Sequence, residues 1–175
     1  CPDDEMRSNF ELPDFITKMS EKKWLGDKTK QGFYKKLKDT KGKRIIEVLN
    51  LNTMQYATKK RTKFSTIALA KQEDDLLKRL NILIKGKDKA GEFYRKSFYS
   101  AFAYVSHRIP EITDDLYKID RALCAGFGWE IGPFQMWDAL DVEKTLSKME
   151  EEGYKAAAWV YEMVKSGKKS FYTTE

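Results

Sequence analysis

The sequence predicts an all-α fold, a bundle of six or seven helices, with a small basic β-hairpin near the N-terminus. Two patterns and the length support this prediction. From residue 64 onward, apolar residues recur at helical spacing between cap and stop residues. Between residues 33 and 56, aromatic and β-branched residues are bounded by turn formers. A length of 175 residues with 41% hydrophobic residues suffices for one ordinary domain with its own core.

The first helix is predicted over residues 12–24, where four apolar residues follow the i, i+3, i+4, i+7 spacing of one helical face. Pro13 suits the first turn because its missing N–H costs nothing there. Gly26 offers a stop. The four apolar residues are Leu12, Phe15, Ile16 and Met19.

A hairpin or meander is predicted next. Four of the five residues 45–49 are apolar and three are β-branched, and turn formers stand at residues 39–42 and 50–53. A sheet this small needs helices to pack on if it is to be stable.

The positive charge is concentrated in one strip, residues 28–63, which holds 12 basic and 2 acidic residues for a local net charge of +10. Residues 64–175 hold 17 basic and 18 acidic residues. Aromatic residues Phe33, Tyr34 and Tyr56 lie within the strip. This pattern is compatible with binding to nucleic acid, to an anionic cofactor such as a phosphorylated adenosine, or to an acidic neighbouring domain. It is equally compatible with a hairpin whose lysines are simply solvated.

The helices that follow the strip are each predicted from a cap, an apolar stripe and a stop. The expected N-caps are Ser65, Asp74 or Asp75, Asp88, Thr113 and Asp141, and Pro133 is expected in a first turn. The expected ends are Pro110, Gly126, Gly153 and Gly167. On the long helix after Asp88, the residues predicted to face inward are Phe93, Tyr94, Ser97, Phe98, Ala101, Tyr104 and Val105.

Composition excludes several classes. No stretch approaches the roughly 18 apolar residues of a membrane span, so no membrane partner is expected. Cys1 and Cys124 do not make a disulfide framework, and a reducing cytoplasm is the expected location. A single histidine, His107, and two distant cysteines cannot supply the ligands of a zinc site. The chain begins Cys-Pro-Asp-Asp without an initiating Met, which indicates a segment of a longer polypeptide.

Gly126, Gly128 and Gly132 are spaced as G-x-G-x-x-x-G, one residue longer than the dinucleotide fingerprint. A helix is also predicted before them, where that fingerprint needs a strand. We therefore interpret these glycines as a tight helix-to-helix turn around Trp129. We interpret His107 as a polar residue near a helix C-terminus rather than an acid–base catalyst.

Two segments resemble the 3-hydroxyacyl-CoA dehydrogenases. Residues 25–34, LGDKTKQGFY, are similar to the L-G-x-K-T-x-x-G-F-Y element that closes the first helical domain of that family. Residues 126–138, GFGWEIGPFQMWD, are similar to the G-x-G-x-x-x-G-P-F-x-x-x-D element of its C-terminal helical domain. Residues 112–123, with Asp120, match the helix that leads into the second element. Asp27 and Lys30 depart from the pattern, which more often has a basic residue and a glycine there.

The resemblance implies a helical fold like the C-terminal domain of 6-phosphogluconate dehydrogenase. It implies that residues 1–36 end a first helical repeat, residues 37–63 form the basic hairpin and linker, and residues 64–175 form a second helical domain. The hairpin resembles that of long bacterial proteins in which an enoyl-CoA hydratase module follows the dehydrogenase. Phe171 and Tyr172 would then lie at the junction to that module.

The parent enzyme implied by the resemblance oxidises the 3-hydroxyl of an acyl-CoA to a ketone with NAD, in fatty acid β-oxidation. The family carries its dinucleotide fingerprint and its catalytic His–Glu pair in an N-terminal domain, and neither occurs in this sequence. We therefore expect no catalytic residue, no metal and no cofactor in this segment. Its expected partners are that missing domain, the hydratase module, the acyl-CoA and a second copy in a homodimer.

Two sets of site residues follow from the resemblance. The set expected at the edge of the acyl-CoA cleft is Lys28, Thr29, Gly32, Phe33 and Tyr34. The set expected to be structural is Gly26, Gly126, Gly128, Trp129, Gly132, Pro133, Phe134 and Asp138. Asp138 is expected to cap or pair locally. The alternative function is a nucleic-acid-binding helical module that uses the basic strip, Lys28 to Lys63.

Overall fold

The computed structural model describes residues 4–173. The chain divides into two compact units, residues 1–62 and residues 63–175. Within the described residues, the first unit holds one α-helix and a three-stranded sheet, and the second holds seven α-helices. The predicted all-α fold with a small N-terminal hairpin is therefore confirmed. None of the helices in residues 4–173 is long and apolar enough to cross a membrane.

In the first unit, helix α1 spans Asp14–Glu21 and is shorter than predicted. Pro13 is its extended N-cap, so Leu12 lies outside the helix and is 71% exposed. The helix ends before Gly26, because Lys23 takes the left-handed conformation at φ 55° and Trp24 N donates to Met19 O at 2.8 Å. This is the Schellman ending. The expected glycine stop was wrong by three residues.

The sheet of the first unit is antiparallel in the order β1-β2-β3, with strands Tyr34–Lys38, Arg44–Asn50 and Gln55–Thr58. Asp39 closes the first turn by accepting from the backbone N–H groups of Lys41 and Lys43. Leu49 on the central strand is buried. The predicted meander is therefore confirmed.

The seven helices of the second unit begin and end close to the predicted positions. They are α2 Ser65–Ala70, α3 Leu76–Lys85, α4 Lys89–His107, α5 Leu116–Phe127, α6 Pro133–Ala139, α7 Val142–Glu151 and α8 Ala158–Lys165. Gly153 and Gly167 take positive φ values directly after the C-caps of α7 and α8. Both predicted glycine stops are confirmed.

Three of the predicted aspartate caps are confirmed. Asp75, Asp88 and Asp141 each accept from backbone N–H groups in the first turn of the helix that follows. Two predicted caps were wrong. Phe64 is the N-cap of α2, so Ser65 is its first helical residue. Asp115, not Thr113, caps α5, and the Thr113 hydroxyl instead accepts from Asp115 N.

The inward face of α4 is rotated from the predicted one. Tyr99 and Phe102 are buried, whereas Phe93 is 64% exposed. Val105 is buried as predicted. The error arose because α4 carries aromatic residues on more than one face, so spacing alone could not select the buried stripe.

The core of the second unit is built around Trp137 on α6, which is completely buried. Its ring stacks on Phe102 with centroids 5.1 Å apart and meets the edge of Phe171 at 5.2 Å. Phe171 also contacts Phe134 at 5.1 Å. Stacked and edge-to-face pairs at these separations stabilise the core beyond the area they bury.

Asp88 caps two helices at once. Its Oδ1 accepts from Ala90 N and Gly91 N at the start of α4. Its Oδ2 accepts from Thr66 N and from the Ser65 hydroxyl at the start of α2. The hydrogen bond from the Thr66 backbone is the main reason that the pKa of Asp88 lies well below its ordinary value.

We expect Asp88→Ala to lower the thermal unfolding midpoint at pH 7, because both helix starts lose their acceptor. Because the folded-state pKa is lowered, the charge contributes stability above the unfolded pKa of about 4 and loses that contribution as the pH falls below it. The difference in thermal unfolding midpoint between variant and wild type, measured by circular dichroism, should therefore become smaller at acidic pH. Asp74→Ala, which removes a nearby exposed carboxyl group that caps no helix, is the control. A gap independent of pH would contradict this account.

Candidate functional site

The first predicted element, residues 25–34, is a tight loop that two glycines permit. Gly26 has φ 99°, a conformation that L side chains rarely adopt. Gly32 is buried, and a Cβ there would lie 2.8 Å from Gly26 Cα. Gly26 N donates to Gln31 O at 2.9 Å and closes the loop around a 3₁₀ turn, Asp27–Thr29. Gly26 is therefore required by its positive φ, and Gly32 is required by the close approach of two backbone segments.

Thr29 organises the interior of this loop. Its hydroxyl accepts from Leu25 N at 2.9 Å and donates to Gln31 O at 3.0 Å. The side chain is half-buried, and these local bonds occupy the hydroxyl. Of the residues predicted to bind substrate, Thr29 and Gly32 thus shape the loop itself.

The remaining predicted residues of the loop face outward. Lys28 is exposed, and Phe33 and Tyr34 are 46% and 54% exposed. A pocket of about 320 Å³ lies beside the loop. Its lining is mainly apolar and includes Ile16, Met19, Trp24, Leu25, Gly32 and Phe33. The structure thus brings Gly32 and Phe33 to this pocket, whereas Lys28, Thr29 and Tyr34 do not line it.

The second predicted element, residues 126–138, is the turn between α5 and α6. Gly128 follows α5 and is its left-handed C-cap at φ 68°, with its N–H donating to Cys124 O at 2.9 Å. The predicted stop at Gly126 was wrong, because Gly126 lies inside the helix with open space around it. Gly132 is the N-cap of α6, and Pro133 is the first helical residue. The predicted helix-to-helix turn is confirmed, and Trp129 within it is 40% exposed.

Asp120 on α5 holds the start of α6. Its side chain is buried, at 2% exposure, and its Oδ1 accepts from Phe134 N at 2.9 Å. Its Oδ2 accepts from Gln135 N at 3.1 Å and from the Tyr172 hydroxyl at 2.9 Å. Burial raises the pKa of Asp120, and these three donors oppose that rise. Since both oxygens are occupied, Asp120 positions α6 rather than accepting a proton from a ligand.

Gly132 must be glycine because of Asp120. A Cβ at Gly132 would overlap the Cα, Cβ and Cγ atoms of Asp120. The close packing of α5 against the turn therefore explains the third glycine of the motif. A nucleotide-binding loop would have required a β-strand before the first glycine. Gly128 follows a helix in the structure.

Asp138 does not act locally as predicted. Its Oδ1 accepts from Phe171 N at 2.7 Å, and its Oδ2 accepts from Tyr172 N at 3.1 Å. Burial raises the pKa of Asp138, and the nearby charge of Asp120 raises it further. The carboxyl group thus holds the C-terminal segment against the core. The local interpretation failed because the partners lie more than thirty residues away along the chain.

The other candidate groups are not assembled into a site. His107 is exposed near the end of α4, as expected, with its Nε2 3.2 Å from Lys155 O. Cys124 is a half-buried free thiol on α5. In residues 4–173, no three His, Cys, Asp or Glu side chains lie close enough to hold a metal ion.

Sequence reasoning missed the roles of Asp120 and of the Phe171–Tyr172 segment. The signal for Asp120 was its position between Leu116, Ile119 and Leu123, since a carboxylate on an apolar stripe needs a buried hydrogen-bonding partner. Nothing in the sequence identified that partner.

Comparison with known proteins agrees with the family resemblance. Over 173 residues, 99% of the chain, the sequence is 36% identical to a Bacillus subtilis protein named a probable 3-hydroxyacyl-CoA dehydrogenase. The chain is homologous to a segment of this dehydrogenase. The matched segment is 21% of the length of the Bacillus subtilis protein, so the chain spans about a fifth of that relative.

Two further relatives of the dehydrogenase segment are named candidate trifunctional enzymes of a fatty acid oxidation complex. The one from Rickettsia felis is 30% identical over 69% of the chain and 15% of its own length. The one from Rickettsia prowazekii is 28% identical over 68% of the chain and 15% of its own length. No protein-family profile and no solved structure matches the sequence.

We expect Gly132→Ala to lower the free energy of unfolding by about 2 kcal/mol, because the new methyl group overlaps Asp120. Gly126→Ala, in the same motif, meets nothing within 4 Å. It should be neutral or stabilising by up to about 1 kcal/mol, since alanine favours helix. Urea unfolding of both variants measures the difference. Equal effects would show that contact with Asp120 does not constrain Gly132.

Removal of the Asp120 carboxylate leaves the buried N–H of Phe134, the partly buried N–H of Gln135 and the Tyr172 hydroxyl without their acceptor. We expect Asp120→Ala to cost about 3 kcal/mol of unfolding free energy and Tyr172→Phe about 1 kcal/mol. Asp120→Asn should lie between them, because its amide oxygen can still accept from Phe134 N. Asp114→Ala, at an exposed aspartate just before α5, is the control. Destabilisation by Asp120→Ala no larger than that control would contradict the role of Asp120.

Proposed function

We propose that this chain is the C-terminal helical segment of a 3-hydroxyacyl-CoA dehydrogenase of fatty acid β-oxidation. In that enzyme it forms part of the wall of the acyl-CoA cleft and a surface on which other domains or a second subunit pack. The parent enzyme, in the cytoplasm, oxidises the 3-hydroxyl of an acyl-CoA to a ketone and transfers the hydride to NAD. The chain itself supplies no catalytic group.

The similarity to the Bacillus subtilis protein carries this proposal, because it extends over 99% of the chain at 36% identity. The geometry supports it independently at two places. Both quoted motifs form turns whose glycines are required by close backbone or side-chain approach, at Gly32 and at Gly132. These steric requirements account for the two glycine-containing motifs in a segment that carries no catalytic group.

The loop of residues 25–34 supports a role at the edge of a substrate cleft. Its interior is fixed by Thr29 and the two glycines, whereas Lys28, Phe33 and Tyr34 are exposed. A rigid loop that presents Lys28 and two aromatic rings beside an apolar pocket can contact both the charged and the apolar parts of a thioester.

The helical unit supports a packing role. Phe93, Phe127 and Trp129 are 64%, 73% and 40% exposed, although each is large and apolar or aromatic. Trp129 also lines a groove of about 270 Å³ together with Leu80 and Phe98. Exposed apolar side chains around a groove are typical of surfaces that another protein element covers.

The test is an assay for NADH production with a 3-hydroxyacyl-CoA and NAD. We expect no turnover by the 175-residue chain and turnover by the longer polypeptide that contains it. His107→Gln in the longer polypeptide should leave kcat unchanged, because the exposed His107 side chain contacts a backbone carbonyl, Lys155 O, and no acidic side chain among residues 4–173 is paired with it. Turnover by the chain alone, or its absence in the longer polypeptide, would overturn the proposal.

A further inference from the structure

One face of the N-terminal sheet is strongly basic. Side chains alternate between the two faces of a strand, so the strand register assigns each residue to a face. Tyr34 pairs with Val48, Lys36 with Ile46 and Lys38 with Arg44, and Lys59 N donates to Ile46 O just beyond β3. The residues on this face that can meet a ligand are Tyr34, Lys36, Lys38, Arg44 and Lys59, which we call the tyrosine face.

Contacts confirm that these side chains share a face. Lys59 Nζ lies 5.4 Å from the centre of the Tyr34 ring. Lys36 Nζ lies 2.5 Å from Asp27 Oδ1. The charge of Arg44 also contributes to lowering the pKa of Asp27, although the bond from Lys36 is the main cause.

The opposite face is turned toward the rest of its unit. It carries Leu49, which is buried, and Tyr56, whose hydroxyl donates to Gly32 O at 2.6 Å. The Tyr56 ring packs 5.2 Å from Trp24. The tyrosine face therefore looks away from the small core of the first unit, and its ring and cations are accessible within that unit.

Positive charge on this face is largely uncompensated. Among the described residues, Lys36 is the member of the set that forms an ion pair, with Asp27. Glu47 on the central strand points to the opposite face, and Asp39 accepts from the backbone of its own turn. Lys38, Arg44 and Lys59 are thus available to an anion.

The number of rings limits the kind of anion. Proteins that bind single-stranded nucleic acid present several aromatic side chains, on which successive bases stack. Among the described residues, the tyrosine face has one ring, Tyr34, beside three cations that form no ion pair, Lys38, Arg44 and Lys59. One stacking position with several cations matches one nucleotide that carries several phosphates.

We propose that the tyrosine face binds the 3′-phosphoadenosine diphosphate end of a coenzyme A thioester, with adenine on Tyr34 and phosphates at Lys38, Arg44 and Lys59. This inference rests on the proposed function, which supplies an acyl-CoA as substrate. Strands lie about 4.8 Å apart, so β1 and β3 are separated by about 10 Å. That distance is comparable to the size of one nucleotide. Lys38 and its partner Arg44 lie about 13 Å from Tyr34 along the strands, so the phosphates of an adenosine stacked on Tyr34 would extend toward them.

The test is isothermal titration calorimetry of the 175-residue chain at low salt with coenzyme A, dephospho-coenzyme A and 4′-phosphopantetheine. We expect dephospho-coenzyme A to bind about tenfold more weakly than coenzyme A, because it lacks the 3′-phosphate that the cations would meet. 4′-Phosphopantetheine, which lacks the adenosine, should bind more weakly still. Equal affinity for coenzyme A and 4′-phosphopantetheine would overturn the inference.

Variants on the two faces of one strand separate this site from general charge attraction. Tyr34→Ser should weaken coenzyme A and dephospho-coenzyme A alike, by about fivefold or more, through loss of stacking. The double variant Lys38→Gln/Arg44→Gln should remove the preference for coenzyme A over dephospho-coenzyme A. Lys35→Gln changes a lysine of the same strand on the opposite face and should bind as wild type does. A Lys35→Gln effect as large as that of the double variant would overturn the inference.

A short single-stranded oligodeoxynucleotide distinguishes the nucleic-acid alternative. If it binds more tightly than coenzyme A and the double variant abolishes that binding, the face binds a polymer and the inference is wrong.

Failure of the inference is separable from failure of the proposed function. If the chain does not bind coenzyme A but the longer polypeptide still produces NADH, the inference alone is wrong. If the longer polypeptide produces no NADH, the proposed function is wrong, whatever the chain binds.

Discussion

The buried carboxylate of Asp120 joins three parts of the helical unit. It belongs to α5, it accepts from the first backbone N–H groups of α6, and it receives the hydroxyl of Tyr172 from the C-terminal segment. A charge at 2% exposure is costly unless several donors surround it, and these three are the donors that this fold provides. Position 132 must be glycine because a Cβ there would overlap Asp120, so the same contact constrains both the turn and the residue at this position.

Asp138 extends this arrangement to the end of the described chain. By accepting from Phe171 N and Tyr172 N, it keeps the Phe171 ring against Trp137 in the core. Asp120, which is buried, and Asp138, which is half-buried, therefore hold a segment that has no helix or strand of its own. Phe171 and Tyr172 belong to the packing of this unit, whatever module follows them in a longer protein.

The first unit depends on a different constraint, the close approach of Gly26 and Gly32. This approach closes the loop that leads into β1, and Tyr56 is hydrogen-bonded to Gly32 O at its base. The strand register then assigns Tyr34, Lys36, Lys38 and Arg44 to the outward face. A loop that is fixed by glycine thus positions a basic surface with one aromatic ring.

The amino-acid sequence by itself determined the elements, since aspartate caps, glycine stops and Pro133 act within a few residues, and Asp75, Asp88, Asp141, Gly153 and Gly167 act as local chemistry predicts. It also pointed to the dehydrogenase family through two short motifs. Tertiary structure alone decided the buried face of α4, the sharing of Asp88 between two helices, and the partners of Asp120 and Asp138. The physical reason is distance along the chain, because a hydrogen bond between residues far apart in sequence leaves no periodicity and exists only once the helices have packed.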